Sequence, residues 1–267
     1  MEKPKISVVI HTYNEAERLP RVLATVKDFD EVIVCDMEST DATLDIARAA
    51  GCRILTFPRG DHRIPEPARN FAIHEASHPW VFVVDADELV PTALRDYLYA
   101  HAARADAADG LYISRKSYFM GRWMHGYYPD QQLRFFRRDV TTWPPYVHTR
   151  AQVQGRAERI PSARQELAFE HIADFSVRTQ VRKINEYTDN EVMKRAAKRY
   201  GVGALLWRPF WHFFRSYVVK GGFRDGVAGL VWALLQGCYQ TVMVAKTIES
   251  RSTAAALTTS AARQTSR

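Results

Sequence analysis

The sequence predicts an α/β fold with a mostly parallel central sheet flanked by helices, followed by a helical, apolar C-terminal extension. Three observations predict it. Short Val- and Ile-rich runs alternate with segments of helical spacing over residues 6–87, the fourth such run ends abruptly in carboxylates, and residues 226–245 carry no charge. At 267 residues with 46% hydrophobic content, the chain can bury one large domain and still carry an extension.

In order, the strands are expected at Ile6 to Ile10, Glu31 to Cys35, Arg53 to Phe57 and Trp80 to Val84, each bounded by polar or turn residues. Between them, Ala16 to Val26 and Ala42 to Ala50 carry helical periodicity, and a further helix precedes the fourth strand. Residues 111–153 are richer in aromatics and read as strands and loops that complete the sheet and form a substrate pocket. From Val177 the chain turns helical, and Ser252 to Arg267 is a polar tail expected to be disordered. The expected domains are therefore residues 1–175, a helical membrane-associating extension over 176–250, and the tail over 251–267.

A net charge of +7 suits nucleic acid, anionic lipid or a phosphorylated substrate, and so does not choose among them. No alternation of aromatic and basic residues marks an RNA-binding surface, so nucleic acid is not an expected partner. Cys35, Cys52 and Cys238 lack metal-type spacing and read as small thiols in a reducing compartment. Lys3, Pro4 and Lys5 lead directly into the first strand without the long apolar stretch of a secretory signal, which places the expected site of action in the cytoplasm.

The chemistry concentrates at Asp85-Ala86-Asp87-Glu88, where an apolar strand ends. Ligands of parallel sheets gather at the carboxyl ends of strands, and two carboxylates two residues apart offer hard oxygen ligands to magnesium or manganese. Such a metal would stabilise a leaving diphosphate. Two other strand ends present Thr12, Tyr13, Asn14 and Glu15, and Asp36 with Glu38, Ser39, Thr40 and Asp41. Asn14, Ser39, Thr40 and Asp41 read equally as helix caps, whereas Asp36 lies too far before any helix to cap one and is expected to face a ligand. Arg69, following the turn at Pro65 and Pro67, could meet a diphosphate or make a surface ion pair. No Gly-x-Gly-x-x-Gly follows the first strand, which argues against a dinucleotide-binding dehydrogenase.

Four segments, Ile6 to Glu15, Val34 to Thr43, Ala68-Arg69-Asn70 and Asp85 to Glu88, together resemble the family 2 glycosyltransferases of GT-A fold, in that family's order and at comparable spacing. The resemblance implies a nucleotide-sugar donor, with a UDP-sugar favoured, a divalent metal (Mg2+ or Mn2+) and inversion at the anomeric carbon. It implies that Thr12, Asn14 and Glu15 line the nucleotide pocket, Asp36 reads the base, and Arg69 lies near the nucleotide or diphosphate. Asp85 is implied at the ribose or metal and Asp87 at the metal.

Inverting transfer requires a base for the acceptor hydroxyl. The stretch Tyr127 to Arg138, followed by Trp143 to His148, resembles the lipopolysaccharide core subgroup, although Thr149 stands where that subgroup carries glutamate. Asp130 is the first candidate base, His148 the second and Glu88 the third, with a turn role the alternative for Asp130. Gln132 and Arg134 could hold acceptor or diphosphate oxygens. His171 could close over the site or be a hydrogen-bonded core histidine. The Trp-, Phe- and basic-rich stretch from Leu205, with the uncharged run after it long enough to span a bilayer, points to peripheral or monotopic attachment at the cytoplasmic face of the inner membrane, against a true span, a buried hairpin or a dimer interface. A lipid-linked saccharide is then the expected acceptor, lipopolysaccharide core first. Polyprenyl phosphate, a capsule or exopolysaccharide precursor, and a non-catalytic nucleotide-sugar-binding relative are the alternatives.

Overall fold

The computed structural model describes residues 3–60, 66–144, 151–173, 175–195 and 198–265. The chain divides into two compact units, one holding the chain up to Ser117 together with Tyr128–Ala173, the other holding Tyr118–Tyr127 and the C-terminal remainder.

The elements up to the middle of the chain are β1 (Ile6–Thr12), α1 (Leu19–Val26), β2 (Glu31–Asp36), α2 (Thr43–Ala49), β3 (Arg53–Thr56), α3 (Glu66–His74), β4 (Trp80–Asp85), β5 (Glu88–Leu89) and α4 (Thr92–Ala102). Then come β6 (Gly110–Ile113), β7 (Arg115–Phe119), β8 (Arg122–Trp123), β9 (Gln132–Arg137), β10 (Thr141–Thr142), β11 (Gln152–Val153), β12 (Ala157–Arg159) and β13 (Phe169–His171). The helices α5 (Val177–Lys194), α6 (Val202–Phe214) and α7 (Gly226–Thr265) follow.

In the first unit a sheet runs in the order β12-β6-β9-β4-β1-β2-β3. Strands β4, β1, β2 and β3 are parallel, and β9 inserts antiparallel between β4 and β6. The central strands β1 and β4 are buried on both faces, as their continuous apolar runs require, while β3 at the edge is partly exposed. Alternate residues supply two cores. Ile6, Val8, Ile10, Phe82 and Val84 pack with Leu19, Val22 and Val26 of α1 and with Leu94 and Leu98 of α4. Val9, Ile33, Val81 and Val83 pack with Ala68, Ala72 and Ile73 of α3. Each fully buried Ile or Phe here stabilises the fold by roughly 1.5–3 kcal/mol. Burial also pushes the Cys35 thiol up to about 12, so this cysteine is an inert core residue.

Two pairings position the site. Because Phe82 of β4 pairs antiparallel with Phe135 of β9, the first residues of β9 lie toward the carboxyl end of β4. Strand β13 pairs antiparallel with β5, which sets His171 opposite Glu88. The expected strands are all present, but β1, β2 and β4 run one or two residues further, to Thr12, Asp36 and Asp85, because polar side chains there do not interrupt backbone pairing.

In the second unit Ser176 caps α5, its Oγ accepting from Thr179 N at 3.2 Å. Pro209 lies inside α6, and Arg215–Val219 form a π-helical turn. Asp225, fully buried, accepts from His125 N (2.9 Å), Gly126 N (3.1 Å) and His125 Nδ1 (2.8 Å), tying the 125–126 turn to the start of α7. At Gly229 a β-carbon would stand 1.8 Å from the Gly222 carbonyl oxygen, so this close approach admits only glycine. Helix α7 runs from Gly226 to Thr265.

Candidate active site

Strands β1, β2 and β4 end at one rim, with Thr12 paired to Asp36 and His11 to Asp85 in the register. The loops after β1 and β2 are stitched together. Asn14 N donates to Ser39 Oγ (2.8 Å), Thr40 N to Asn14 Oδ1 (2.8 Å), Glu15 N to Thr43 Oγ1 (2.8 Å) and Ala16 N to Asp41 Oδ2 (3.1 Å). Asn14 takes a φ of 54°, a conformation that asparagine tolerates. Asp41 also serves as a cap, its Oδ1 accepting from Thr43 N at the start of α2 (3.0 Å), whereas Asn14, Ser39 and Thr40 make cross-loop ties and α1 starts only at Leu19.

Asp36 was expected to face a ligand. It is fully buried, and its oxygens accept from Thr12 Oγ1 (2.8 Å), Ser39 N (2.8 Å) and Ser39 Oγ (2.5 Å). A buried carboxylate must be satisfied, and here the turn after β2 satisfies it, so Asp36 shapes the rim from below. The Thr12 hydroxyl, equally buried, faces Asp36 rather than an open pocket.

The carboxylates after β4 separate into different roles. Asp85 accepts from Arg69 Nη2 at 2.8 Å and from Arg134. Burial alone would raise its pKa, but Arg134 and Arg69 outweigh burial and hold the carboxyl well below the ordinary range. Both oxygens of Asp85 accept from guanidinium groups. Glu88, also fully buried, accepts from Asp85 N (3.0 Å), Arg115 Nη1 (3.3 Å) and Arg134 Nη2 (3.3 Å), and that burial removes it as a candidate base. Arg134, expected to hold diphosphate or acceptor oxygens, is 5% exposed and donates through Nη1 and Nη2 to Asp85 and Glu88, while its Nε has no partner among the described residues.

Asp87 differs from both. Its side chain is 27% exposed, and its Oδ2 lies 3.2 Å from His171 Nε2. Burial, offset by Arg18, pushes the Glu15 carboxyl up, and the nearby Asp87 charge adds to that rise. Asp87 and Glu15 thus share the rim. Asp130 is held by Arg115 Nη2 (2.7 Å) and Nε (2.9 Å) and by Gln132 Nε2 (2.9 Å). His148 lies outside the described residues.

Sequence reasoning missed Arg115, the side-on packing of Arg69 over the Trp143 ring (4.5 Å) and the placement of His171 against Asp87. A cation opening a strand, Arg115, was the available signal for the first. Among the described residues no group of three or more His, Cys, Asp or Glu is arranged to hold an ion by itself.

His11 is a buried titratable group at the rim. Burial first, then the Arg69 charge, lowers its pKa from 6.5 to about 3, so the native imidazole is neutral. Between those values the unfolded chain takes up a proton that the native state does not. Its contribution to stability is therefore complete above the unfolded value and lost as the pH falls toward the native one. Urea unfolding in EDTA from about pH 7 to about pH 4 should give wild type a steeper acid decline than His11→Leu, by up to roughly 1.4 kcal/mol per pH unit. Parallel curves would reject the assignment.

Residues 7–154, more than half of the chain, match the family described as Glycosyl transferase family 2. The chain is similar to the lipopolysaccharide core biosynthesis glycosyltransferase LpsC of Rhizobium meliloti, 27% identical over 258 residues that cover 91% of this chain and 92% of that one. It is also similar to an uncharacterized glycosyltransferase of Rickettsia felis, 26% identical over 269 residues, covering 92% and 90%. Among solved structures, the mannosyltransferase PcManGT from Pyrobaculum calidifontis, in complex with GDP-Man and Mn2+, is similar in fold. Its TM-score is 0.53 at 17% identity, covering 92% of this chain and 88% of that one. The parallel sheet with its antiparallel insertion is thus a GT-A fold, and the chain belongs to glycosyl transferase family 2.

Proposed function

We propose that the chain is an inverting, metal-dependent glycosyltransferase that moves a sugar from a nucleotide-sugar, with a UDP-sugar favoured, to a lipid-linked saccharide. Lipopolysaccharide core is the leading acceptor, and the site of action is the cytoplasmic face of the inner membrane. The similarity to LpsC supports the acceptor class.

The observation that carries the reading is the pair Asp87 and His171, 3.2 Å apart at the rim where β1, β2 and β4 end. The pair sets a carboxylate oxygen and an imidazole nitrogen side by side, a donor set of the kind that would hold a divalent cation. Mg2+ is commonly bound by one or two protein carboxylates plus substrate phosphates, and a mixed oxygen and nitrogen set suits Mn2+ better still. When bound, the ion would neutralise charge on the departing nucleoside diphosphate. Asp87 and His171 would hold it. Arg69 and Arg134 carry the guanidinium groups for which diphosphate oxygens would compete with Asp85. Asp130, oriented by Arg115 and Gln132, would accept the proton of the acceptor hydroxyl, with His148 as the second candidate.

A thermal-shift screen of nucleotide-sugars with Mn2+ tests the donor. A UDP-sugar at about a hundred times its Kd should raise Tm by roughly 5–10 °C. No shift with any donor would sink the reading. Radiolabelled sugar supplied with truncated lipopolysaccharide core should label the core lipid, and label in polyprenyl phosphate instead would reassign the acceptor.

A further inference from the structure

Helix α6 carries a stripe of large apolar side chains that nothing among the described residues of the second unit covers. Trp207 is 62% and Phe210 58% exposed, and Leu206, Trp211, Phe214 and Val218 join them. Trp207, Phe210, Trp211, Phe214 and Val218 follow the i, i+3, i+4, i+7, i+11 spacing of one helical face. Their rings form a continuous ladder, with centroids 5.9 Å apart for Trp207 and Phe210, 6.3 Å for Trp207 and Trp211, and 6.4 Å for Phe210 and Phe214.

The charge around this face has one sign. From Gly201 to Arg224 there is no Asp or Glu, while Arg208, Arg215, Lys220 and Arg224 are basic. Tryptophan and phenylalanine beside arginine and lysine is the composition of a helix lying in the headgroup layer of an anionic membrane. A second copy is a poor occupant, because a two-fold contact would oppose these cations with no carboxylate to answer them.

The segment Gly222–Ser252 is long and apolar enough to cross a bilayer, but one face of α7 is held by other residues of its own unit, while Val227, Leu230 and Leu234 stay exposed. Trp232 packs edge-on against Phe119 (5.1 Å) and Tyr127 (4.7 Å), Gln240 Oε1 accepts from Arg208 Nη2 (2.8 Å), and Lys246 Nζ pairs with Asp189 Oδ1 (2.6 Å) on α5. Crossing the bilayer would strip these contacts or draw their charges into hydrocarbon.

We propose that the aromatic face of α6 is an in-plane anchor seated on an anionic lipid bilayer, with α7 held against α5 and α6 rather than spanning the membrane. This deepens the membrane-surface reading above and rests on it. The test mixes the full chain with vesicles of phosphatidylethanolamine and phosphatidylglycerol, or of phosphatidylcholine alone, and measures co-flotation. Binding to the anionic vesicles should exceed binding to the neutral ones about tenfold or more and weaken in high salt. Phe210→Ser/Trp211→Ser and Arg215→Glu/Lys220→Glu should each lower it by a similar factor. The nucleotide-sugar thermal shift should be unchanged in both variants, which separates failure of the anchor from failure of the donor assignment. Carbonate at high pH should release the bound protein. Equal binding to both lipids, absence of binding, variants that bind like wild type, retention after carbonate, or a dimer that the aromatic variant dissociates would each overturn the proposal.

Discussion

Asp87→Ala is expected to lower the turnover of sugar transfer roughly a thousandfold while leaving the melting temperature of the metal-free protein within a few degrees. The two expectations have one origin. Asp85 and Glu88 are bound by arginines and Glu88 is fully buried, so removing either would disturb the fold and the chemistry together. Asp87 has a partly exposed carboxylate whose partner is an imidazole, and deleting it leaves no guanidinium stranded in the interior. Asp87→Asn keeps the shape and loses the charge. It should lie within about tenfold of Asp87→Ala if the role is to hold a cation. His171→Ala should raise the Mn2+ concentration needed for half-maximal rate more than it lowers the rate at saturating metal, as expected for one of two ligands. An Asp87→Ala enzyme retaining transfer within about tenfold of wild type would remove Asp87 from the site.

How far the site was legible depends on which links are local. The strands β1, β2 and β4 were readable because burial on both faces requires uninterrupted Val and Ile, and their carboxyl ends followed from the α/β alternation. Their last residues were missed because Thr12, Asp36 and Asp85 look like loop residues by polarity while their backbones still pair with neighbouring strands. The rim was therefore located correctly, and the family followed from motifs confined to about the first 90 residues.

The partners of the rim residues were not legible, because they come from distant segments. Asp85 is bound by Arg69, 16 residues away, and by Arg134, 49 residues away. Asp87 meets His171 across 84 residues, an encounter created by the antiparallel β5 and β13 pairing. Periodicity announces that an element is a strand but not which strand it will lie beside. Asp36 shows the same limit at short range. Its position after an apolar run suggested a ligand, but a carboxylate at a strand end can also be enclosed by the next turn, and Ser39 three residues on does so with both its backbone and its side chain.

The Arg134 side chain is where the largest loss of stability is expected. It is 5% exposed and stands between two carboxylates, Asp85 and Glu88. Burial disfavours its charge, but Asp85 and Glu88 outweigh that penalty and raise its pKa. Truncating one partner of such a cluster leaves the others as uncompensated interior charge, at a cost of about 3–5 kcal/mol. Arg134→Ala should therefore lower Tm by roughly 6–20 °C in the absence of ligand. Arg69 still holds Asp85 and Arg115 still holds Glu88, which favours the lower end of that range. Arg134→Lys keeps the charge but not the planar fork that reaches both carboxylates, so it should recover only part of the loss. The decisive comparison is the double variant Arg134→Met/Glu88→Met. If stranded charge is the cause, removing the second charge should make the double variant more stable than Arg134→Met alone, because a neutral pair of similar volume carries no desolvation penalty. A double variant less stable than either single would instead assign the cost to packing, with Glu88 valued for the bond it accepts from the Asp85 backbone.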